Sequence, residues 1–245
     1  MLEHAYAEPP FRIPHAQERP EGIAAILVWS APGTFGGDVL EQTIRVRRGA
    51  CLDLRSQSAM QIHSNAAGGA ATVRSSYDVE EGASLRCHWD PLIPFPGARL
   101  EHRVEIRIAE QGTLFWSDGL MAGRQARGEC WMFSSLAHEF RLVRGGTLAY
   151  LERYRLSPFD RSVAGPWVGA GASYFGTTVA SHSSITHEMV RRLHEELGGV
   201  EGISGAADLL DGGLLLARLM GTSGPPFHRA RGLVASWAES IFRIL

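Results

Sequence analysis

Three short segments of the chain combine ionised side chains with glycine or proline, and they hold the residues best suited to chemistry. They are Gly33-Thr-Phe-Gly-Gly-Asp38, Asp90-Pro-Leu-Ile-Pro94-Phe95 and Gly123-Arg124-Gln-Ala-Arg127-Gly128-Glu129-Cys-Trp131. Glycine lets the backbone approach a ligand closely, and proline stiffens the chain. Two carboxylates can cleave a glycosidic bond, but no spacing here fixes two of them at the required separation. The segments are therefore candidates for binding rather than catalysis.

The sequence lacks the usual catalytic signatures. It contains no G-x-S-x-G, H-E-x-x-H, C-x-x-C or G-x-G-x-x-G. All 24 basic residues are arginine. This excludes P-loop nucleotidases, pyridoxal enzymes and protein kinases, because each needs a lysine. Cys87 and His88 are neighbours on a predicted strand, so their side chains point to opposite faces and are not expected to bind one metal. We expect no catalytic residue and no tightly bound cofactor.

Composition favours an ordinary folded protein that does not bind nucleic acid or membranes. The net charge is −2, which gives no reason to expect a polyanionic partner. The longest apolar run, Ile23 to Trp29, is too short to span a bilayer, and the first twenty residues lack the apolar region of a signal peptide. Three widely spaced cysteines do not predict a disulfide scaffold. We expect a cytoplasmic protein.

A strand–glycine–strand pattern recurs along the chain about every thirty residues. Each copy has a β-branched residue, two or three polar residues, a glycine, a small residue and an apolar position. The four glycines are Gly49, Gly82, Gly112 and Gly146. Apolar and polar residues alternate beside them, as in half-buried strands, and each glycine is predicted to form a turn with positive φ. The pattern predicts a mainly β fold of stacked, β-helix-like layered strands. Glycine at ordinary hairpin turns of a sandwich is the alternative.

The end of the chain carries a different pattern. Residues 184–197 show the apolar periodicity of a helix that Gly198 and Gly199 would end, and residues 214–220 form a continuous apolar run typical of a buried strand. A last helix is predicted after Ser223. We therefore expect one domain over 1–245, with a β body at 1–183 and two helices within 184–245. The last helix carries Phe227 and Trp237, which are either core residues or a docking surface for a partner.

Six motifs in order resemble the UreD family of urease accessory proteins, called UreH in some organisms. They are Gly36-Gly37-Asp38, Gly49-Ala50, Ser56-Gln57-Ser58-Ala59, Pro91-Leu-Ile-Pro94-Phe95, Gly123-Arg124 with Gly128-Glu129-Cys130-Trp131, and Glu152-Arg153-Tyr-Arg-Leu156. The match is clear over about residues 6–156 and continues weakly through Leu214 to Met220 and the last helix. The chain departs from the family pattern at Met60, Gln61 and His63, which replace the family's Thr-Lys and Tyr. It also has Glu152 where the family has Asp.

The resemblance implies a maturation factor rather than an enzyme. Such proteins bind the urease apoprotein and recruit a UreF-type helical accessory protein and a UreG-type GTPase. They assist nickel insertion into the urease active site, so nickel is expected only in transit. A family fold that is β-rich and layered is also implied. The rival interpretation of the residues alone is a β-helix carbohydrate enzyme, and a third is an interaction module with no metal role.

The candidate residues for nickel or bicarbonate transit, or for partner contact, come from the three segments and the strands beside them. A transit path needs exchangeable oxygen and imidazole ligands rather than a closed thiolate site. The candidates are Asp38, His63, Asp90, Asp118, Arg124, Arg127 and Glu129. The two arginines would hold carboxylates in place. The alternative is that these residues only brace turns.

Overall fold

Three successive coils of β-strand form the body of the protein in the computed structural model, which describes residues 2–14, 16–65, 68–163, 165 and 168–242. The strands before the coils are β1 (Phe11–Arg12), β2 (Ala16–Arg19) and β3 (Gly22–Trp29). The first coil is β4 (Thr34–Phe35), β5 (Val39–Val46) and β6 (Cys51–Ser56). The second is β7 (Gln61–His63), β8 (Ala71–Val79) and β9 (Ser84–His88). The third is β10 (Ile93–Pro94), β11 (Arg99–Ile108) and β12 (Thr113–Met121).

Each strand of a coil pairs in parallel with the corresponding strand of the next coil. Stacking therefore builds three sheets around one interior. The coils contribute to a nine-stranded sheet, β1-β3-β6-β9-β12-β17-β19-β18 with β2 beside β3, to a five-stranded sheet, β16-β15-β11-β8-β5, and to a three-stranded sheet, β10-β7-β4. The predicted mainly β, stacked and β-helix-like fold is confirmed.

Antiparallel strands and two helices complete the chain. The remaining elements are β13 (Gly123–Arg124), a 3-10 turn (Gln125–Arg127), β14 (Glu129–Cys130), β15 (Ser135–Arg144), β16 (Thr147–Leu156), β17 (Tyr174–Ser181), α1 (His187–Gly198), β18 (Ile203–Leu210), β19 (Leu214–Gly221) and α2 (Gly224–Phe242). The helix predicted from 184 begins at His187, because the Thr186 hydroxyl caps it by accepting from the Met189 amide at 3.3 Å. The last strands extend the nine-stranded sheet of the body.

The repeated glycines occupy two different kinds of turn. Gly49 and Gly82 have φ of 69° and 66° and lead from the five-stranded to the nine-stranded sheet. Gly146, with φ of 85°, lies instead in the antiparallel hairpin between β15 and β16, which ends the parallel stack. Gly112 was expected to need positive φ and does not. Its amide closes a turn onto the Ala109 carbonyl, so the extra residue in this copy moves glycine to the fourth turn position, where other residues fit.

The two large sheets enclose apolar side chains, and the helices cover the outer face of the nine-stranded sheet. One interior cluster surrounds Leu85, Ile106 and Trp116, and a second surrounds Ile62, Leu100 and Phe133. The outer face of the five-stranded sheet is polar, with cross-strand ion pairs such as Arg74 with Glu41 and Arg153 with Glu139.

Candidate functional site

A cavity of about 440 Å³ lies between the two large sheets, and polar side chains line it in rows that follow the stacking direction. On the five-stranded sheet, one register row is Val73, His102, His138 and Tyr154, and the next includes Gln42, Ser75 and Glu152. On the facing sheet, Asp118, Thr177 and Arg218 share a row. Apolar residues interrupt these rows, since Val73 stands beside His102, and Val104 and Phe140 separate Ser75 from Glu152, so the polar groups form separate patches in an otherwise apolar interior.

Two histidines meet inside the cavity. The Nδ1 atoms of His102 and His138 lie 3.1 Å apart, so one ring donates its Nδ1–H to the other. Burial lowers the pKa of His102 to about 3 and that of His138 to about 4. Both rings are therefore neutral near neutral pH. The ring of His138 also packs against Tyr154, with centroids 4.9 Å apart.

Two of the predicted carboxylates face this cavity. Asp118 accepts a hydrogen bond from Trp116 Nε1 at 3.0 Å, and burial raises the pKa of its carboxyl. Asp90 Oδ2 accepts from the Ser56 hydroxyl at 3.2 Å, while the Asp90 amide donates to the same hydroxyl at 2.8 Å. An arginine approaches from the outer side, since Arg231 of α2 donates to the Trp89 carbonyl at 2.6 Å and to Ser117 Oγ at 3.2 Å.

One end of the cavity is bounded by an ion pair between the sheets. Arg218 on β19 donates to Glu152 on β16 at 2.7 Å and to the Tyr150 hydroxyl at 2.7 Å. Burial, and next the Glu152 charge, raise the pKa of Tyr150 to about 12, so the phenol stays protonated. Within the described ranges, no group of three or more His, Cys, Asp or Glu side chains is close enough to hold a metal ion.

Two of the other predicted residues lie outside the cavity, near the three-stranded sheet. Asp38 is exposed and accepts a hydrogen bond from the Phe35 amide at 2.8 Å, which braces the turn before β5. His63 stacks on the Phe35 ring at 4.7 Å and contacts Phe95 edge-on at 4.4 Å. Neither residue lines the cavity.

The arginine segment forms a small self-contained turn. Arg124 makes a two-pronged ion pair with Glu129, at 2.6 and 2.8 Å, and its guanidinium lies 3.9 Å from the centroid of the Phe95 ring. Arg127 is exposed in the 3-10 turn between them. The Arg124–Glu129 pair thus stabilises the β13–β14 ribbon, which agrees with the bracing alternative for these two residues.

The last helix packs on the nine-stranded sheet with its apolar face. Phe227 is fully buried, with its ring against Tyr174 and Gly176. Trp237 is half-buried against the same cluster. Phe227 is therefore a core residue and offers no free surface, whereas part of Trp237 remains accessible.

A comparison with protein families decides what kind of protein has this architecture. The model of the family described as UreD urease accessory protein matches residues 1–242. This chain belongs to the UreD family. The match extends beyond residues 6–156, where the motifs of the sequence are clear, and includes both helices of the UreD-like fold.

Curated relatives carry the same family name. The chain is 30% identical over 158 residues to "Urease accessory protein UreD" of Sorangium cellulosum, covering 64% of this chain and 50% of that protein. It is 32% identical over 188 residues to the Rhodopseudomonas palustris BisA53 protein of the same name, covering 75% and 65%. "Urease accessory protein UreH" of Helicobacter pylori P12 is 27% identical over 203 residues, covering 82% and 76%. The first two matches thus span about half to two thirds of the relatives' length.

Sequence reasoning missed most of the polar residues inside this UreD-family chain. His102, His138 and Ser75 occupy strand positions whose neighbours two residues away are buried and apolar. A polar residue in the apolar phase of an alternating strand is the signal that would have found them. No helix in the described part of the chain is long and apolar enough to cross a membrane.

Proposed function

We propose that this chain is a urease maturation factor that assists nickel insertion into the urease apoprotein, acting with a UreF-type helical protein and a UreG-type GTPase. The observation that carries the proposal is the set of carboxylate and imidazole side chains inside a mainly apolar cavity, in a chain of the UreD family. Its role is to bind and convey rather than to catalyse. The complex is proposed to assemble in the cytoplasm.

The polar side chains inside the cavity can replace the water molecules that a divalent cation loses when it enters. A cation in an apolar interior is strongly disfavoured unless polar or charged groups replace its hydration shell. Asp90, Asp118 and Glu152 place carboxylates on the cavity wall, and His102 and His138 add imidazole nitrogens. These side chains are spread along the stacking direction. Ligands spread in this way pass a cation from one to the next and do not enclose it.

The stacked coils also suit the scaffold role. Parallel ladders join each coil to the next over both long sheets. The result is a rigid body with a polar five-stranded face and a helix-covered nine-stranded face. A rigid body with two chemically different faces can hold a large apoprotein on one side and helical partners on the other.

The proposal is tested by comparing two aspartates, one inside the cavity and one outside. The chain is produced with urease and its other accessory proteins, and nickel per urease active site is measured in purified urease. We expect Asp118→Asn to lower nickel loading severalfold, because it removes a carboxylate from the cavity. The matched control is Asp38→Asn, which changes an exposed turn residue and is expected to leave loading unchanged.

Assembly is measured separately by copurification of the chain with the apoprotein and partners. Loss of loading with intact assembly supports passage through the cavity. Full loading in the double variant Asp90→Asn/Asp118→Asn would overturn the passage proposal. A wild-type chain that neither copurifies with urease nor raises its nickel content would overturn the maturation role as a whole.

A further inference from the structure

We propose that His102 and His138 form a two-imidazole binding site for a borderline divalent transition metal ion inside the cavity. The residues lie directly opposite each other on the adjacent parallel strands β11 and β15. Their Nδ1 atoms are 3.1 Å apart, and both side chains face the cavity. Neither histidine belongs to the segments that the sequence singled out.

The distance between the two nitrogens fits a shared metal ion. Bonds from imidazole nitrogen to such ions are about 2.0–2.1 Å long, and ligand–metal–ligand angles lie between the octahedral and the tetrahedral value. Two bonds of this length at those angles place the nitrogens about 2.9–3.4 Å apart. The observed 3.1 Å lies inside this range. The separation of the two Nδ1 atoms therefore suits a shared metal ion, and each ring must turn in its own plane to direct its lone pair at that ion.

The protonation of the rings also fits. Burial keeps both imidazoles neutral, which is the form that binds metal. In the metal-free pair, one ring carries its proton on Nδ1 and donates it to the other. When a metal ion binds, that ring carries its proton on Nε2 instead, so both Nδ1 lone pairs face the ion. The two rings together release no proton in this exchange.

The surroundings hold the pair in place. Backbone pairing on both sides fixes β11 and β15, and Tyr154 packs against the His138 ring. Two nearby charges act in opposite directions, since the Asp118 carboxylate favours a positive ion beside His102 and the Arg218 guanidinium opposes one beside His138. The cavity provides room for water to complete the coordination shell. Two protein ligands and water make a site that exchanges its ion readily.

Imidazole nitrogen suits Ni²⁺, Zn²⁺ and Cu²⁺ and not Mg²⁺ or Ca²⁺. The site is accordingly expected to bind Ni²⁺ and Zn²⁺ and to ignore Mg²⁺. Its use as a stopping point for nickel in transit rests on the proposed function above. The binding site itself rests only on the geometry of the pair.

The test is isothermal titration calorimetry of the purified 245-residue chain with Ni²⁺. We expect one Ni²⁺ site in the wild type. His102→Gln and His138→Gln are each expected to lower the Ni²⁺ affinity more than about tenfold, because even the residues that hydrogen-bond to metal-binding imidazoles contribute about 10–100-fold to metal affinity. The control is His228→Gln, which removes an exposed imidazole on α2 and is expected to leave the affinity unchanged. Equal affinity in all four proteins would overturn the proposal.

A second measurement needs no variant and so remains decisive if the substitutions prevent folding. Imidazole ¹⁵N spectra of the wild type are recorded with substoichiometric Ni²⁺, whose unpaired electrons broaden nearby signals. We expect the signals of His102 and His138 to broaden first. Broadening that starts at exposed histidines and leaves this pair sharp would show that the pair is only a hydrogen-bonded core contact. Neither result depends on urease, so the site and the proposed function can fail separately.

Discussion

The guanidinium of Arg218 donates a hydrogen bond to the Glu152 carboxylate at 2.7 Å, and this contact joins the two large sheets at one end of the cavity. Arg218 lies on β19 of the nine-stranded sheet, and Glu152 lies on the edge strand β16 of the five-stranded sheet. The Glu152 side chain is only 11% exposed, whereas that of Arg218 is 45% exposed. The carboxylate therefore depends on its partner more than the arginine does.

Replacing the arginine should destabilise the protein. We expect Arg218→Met to lower the free energy of unfolding by about 2 kcal/mol, because Glu152 then keeps its burial and loses its charged partner. Urea unfolding followed by circular dichroism measures the change. The companion variant Arg218→Met/Glu152→Gln should recover part of the loss, since it also removes the buried charge. A single variant as stable as the wild type would show that solvent replaces the arginine fully.

Substitution of the turn glycine Gly82 should destabilise the protein because of its backbone conformation alone. Its φ is +66°, and a Cβ built there would touch nothing within 4 Å. Gly82→Ala is therefore expected to lower the free energy of unfolding by about 1–2 kcal/mol, the usual penalty for a side chain in the left-handed region. Gly82→Asn should lower it less, because asparagine tolerates that region. Gly49, with φ of +69° and equally open surroundings, provides an independent repeat of the same comparison. Equal stability of the alanine and asparagine variants would contradict this explanation.

The sequence revealed the coils because their signals are local. A strand alternates apolar and polar residues, and a turn with positive φ selects glycine, so Gly49 and Gly82 could be recognised one copy at a time. The role of Gly146 could not be recognised in this way. A glycine turn between stacked sheets and one in a hairpin look alike locally, and the difference depends on which strand pairs next.

The candidate site was harder to predict because it depends on register. Asp90 and Asp118 were among the residues selected, and both line the cavity. His102 and His138 are 36 residues apart, and only the parallel pairing of β11 with β15 brings their rings together. Asp38 and Glu129 were selected for the glycines beside them. Those glycines serve turns, so this signal led to bracing residues instead of the interior.

The contact between Gly176 and Phe227 predicts a steric effect. A Cβ on Gly176 would lie 3.1 and 3.2 Å from atoms of the Phe227 ring, and that ring is fully buried between β17 and α2. Gly176→Ala should therefore lower the unfolding free energy by about 1–3 kcal/mol, as expected for overpacking of a core. Thermal unfolding measures the loss, and the further substitution Phe227→Leu should restore part of it by making room.

Gly232 in the same helix should show the opposite effect. It is exposed within α2, and a Cβ there would meet nothing within 4 Å. Gly232→Ala is expected to stabilise the protein by up to about 1 kcal/mol, because alanine favours the helix more than glycine does. Thermal unfolding under the same conditions gives the comparison. A destabilised Gly232→Ala protein would indicate that α2 needs a flexible point at this position.

His88 should make stability depend on pH. Its side chain points to the sheet face that α2 covers, whereas the side chain of the neighbouring Cys87 points into the interior. The alternation of the strand predicted this arrangement. Burial is the main cause that lowers its pKa to about 4, and the charges of Arg55, Arg86 and Arg231 act in the same direction, while Asp53 opposes them. The unfolded chain takes up a proton near pH 6.5, whereas the folded protein does so only near pH 4.

The contribution of His88 to stability is therefore complete above pH 6.5 and is lost as the pH falls toward 4. At about 1.4 kcal/mol per pKa unit, the loss is on the order of 2–3 kcal/mol. Urea unfolding at a series of pH values measures it, and the wild type is compared with His88→Gln so that other titrating groups cancel. We expect the variant to lose less stability between pH 6.5 and 4. Parallel curves of unfolding free energy against pH for the two proteins would mean that His88 takes up its proton at the same pH in the folded and the unfolded state.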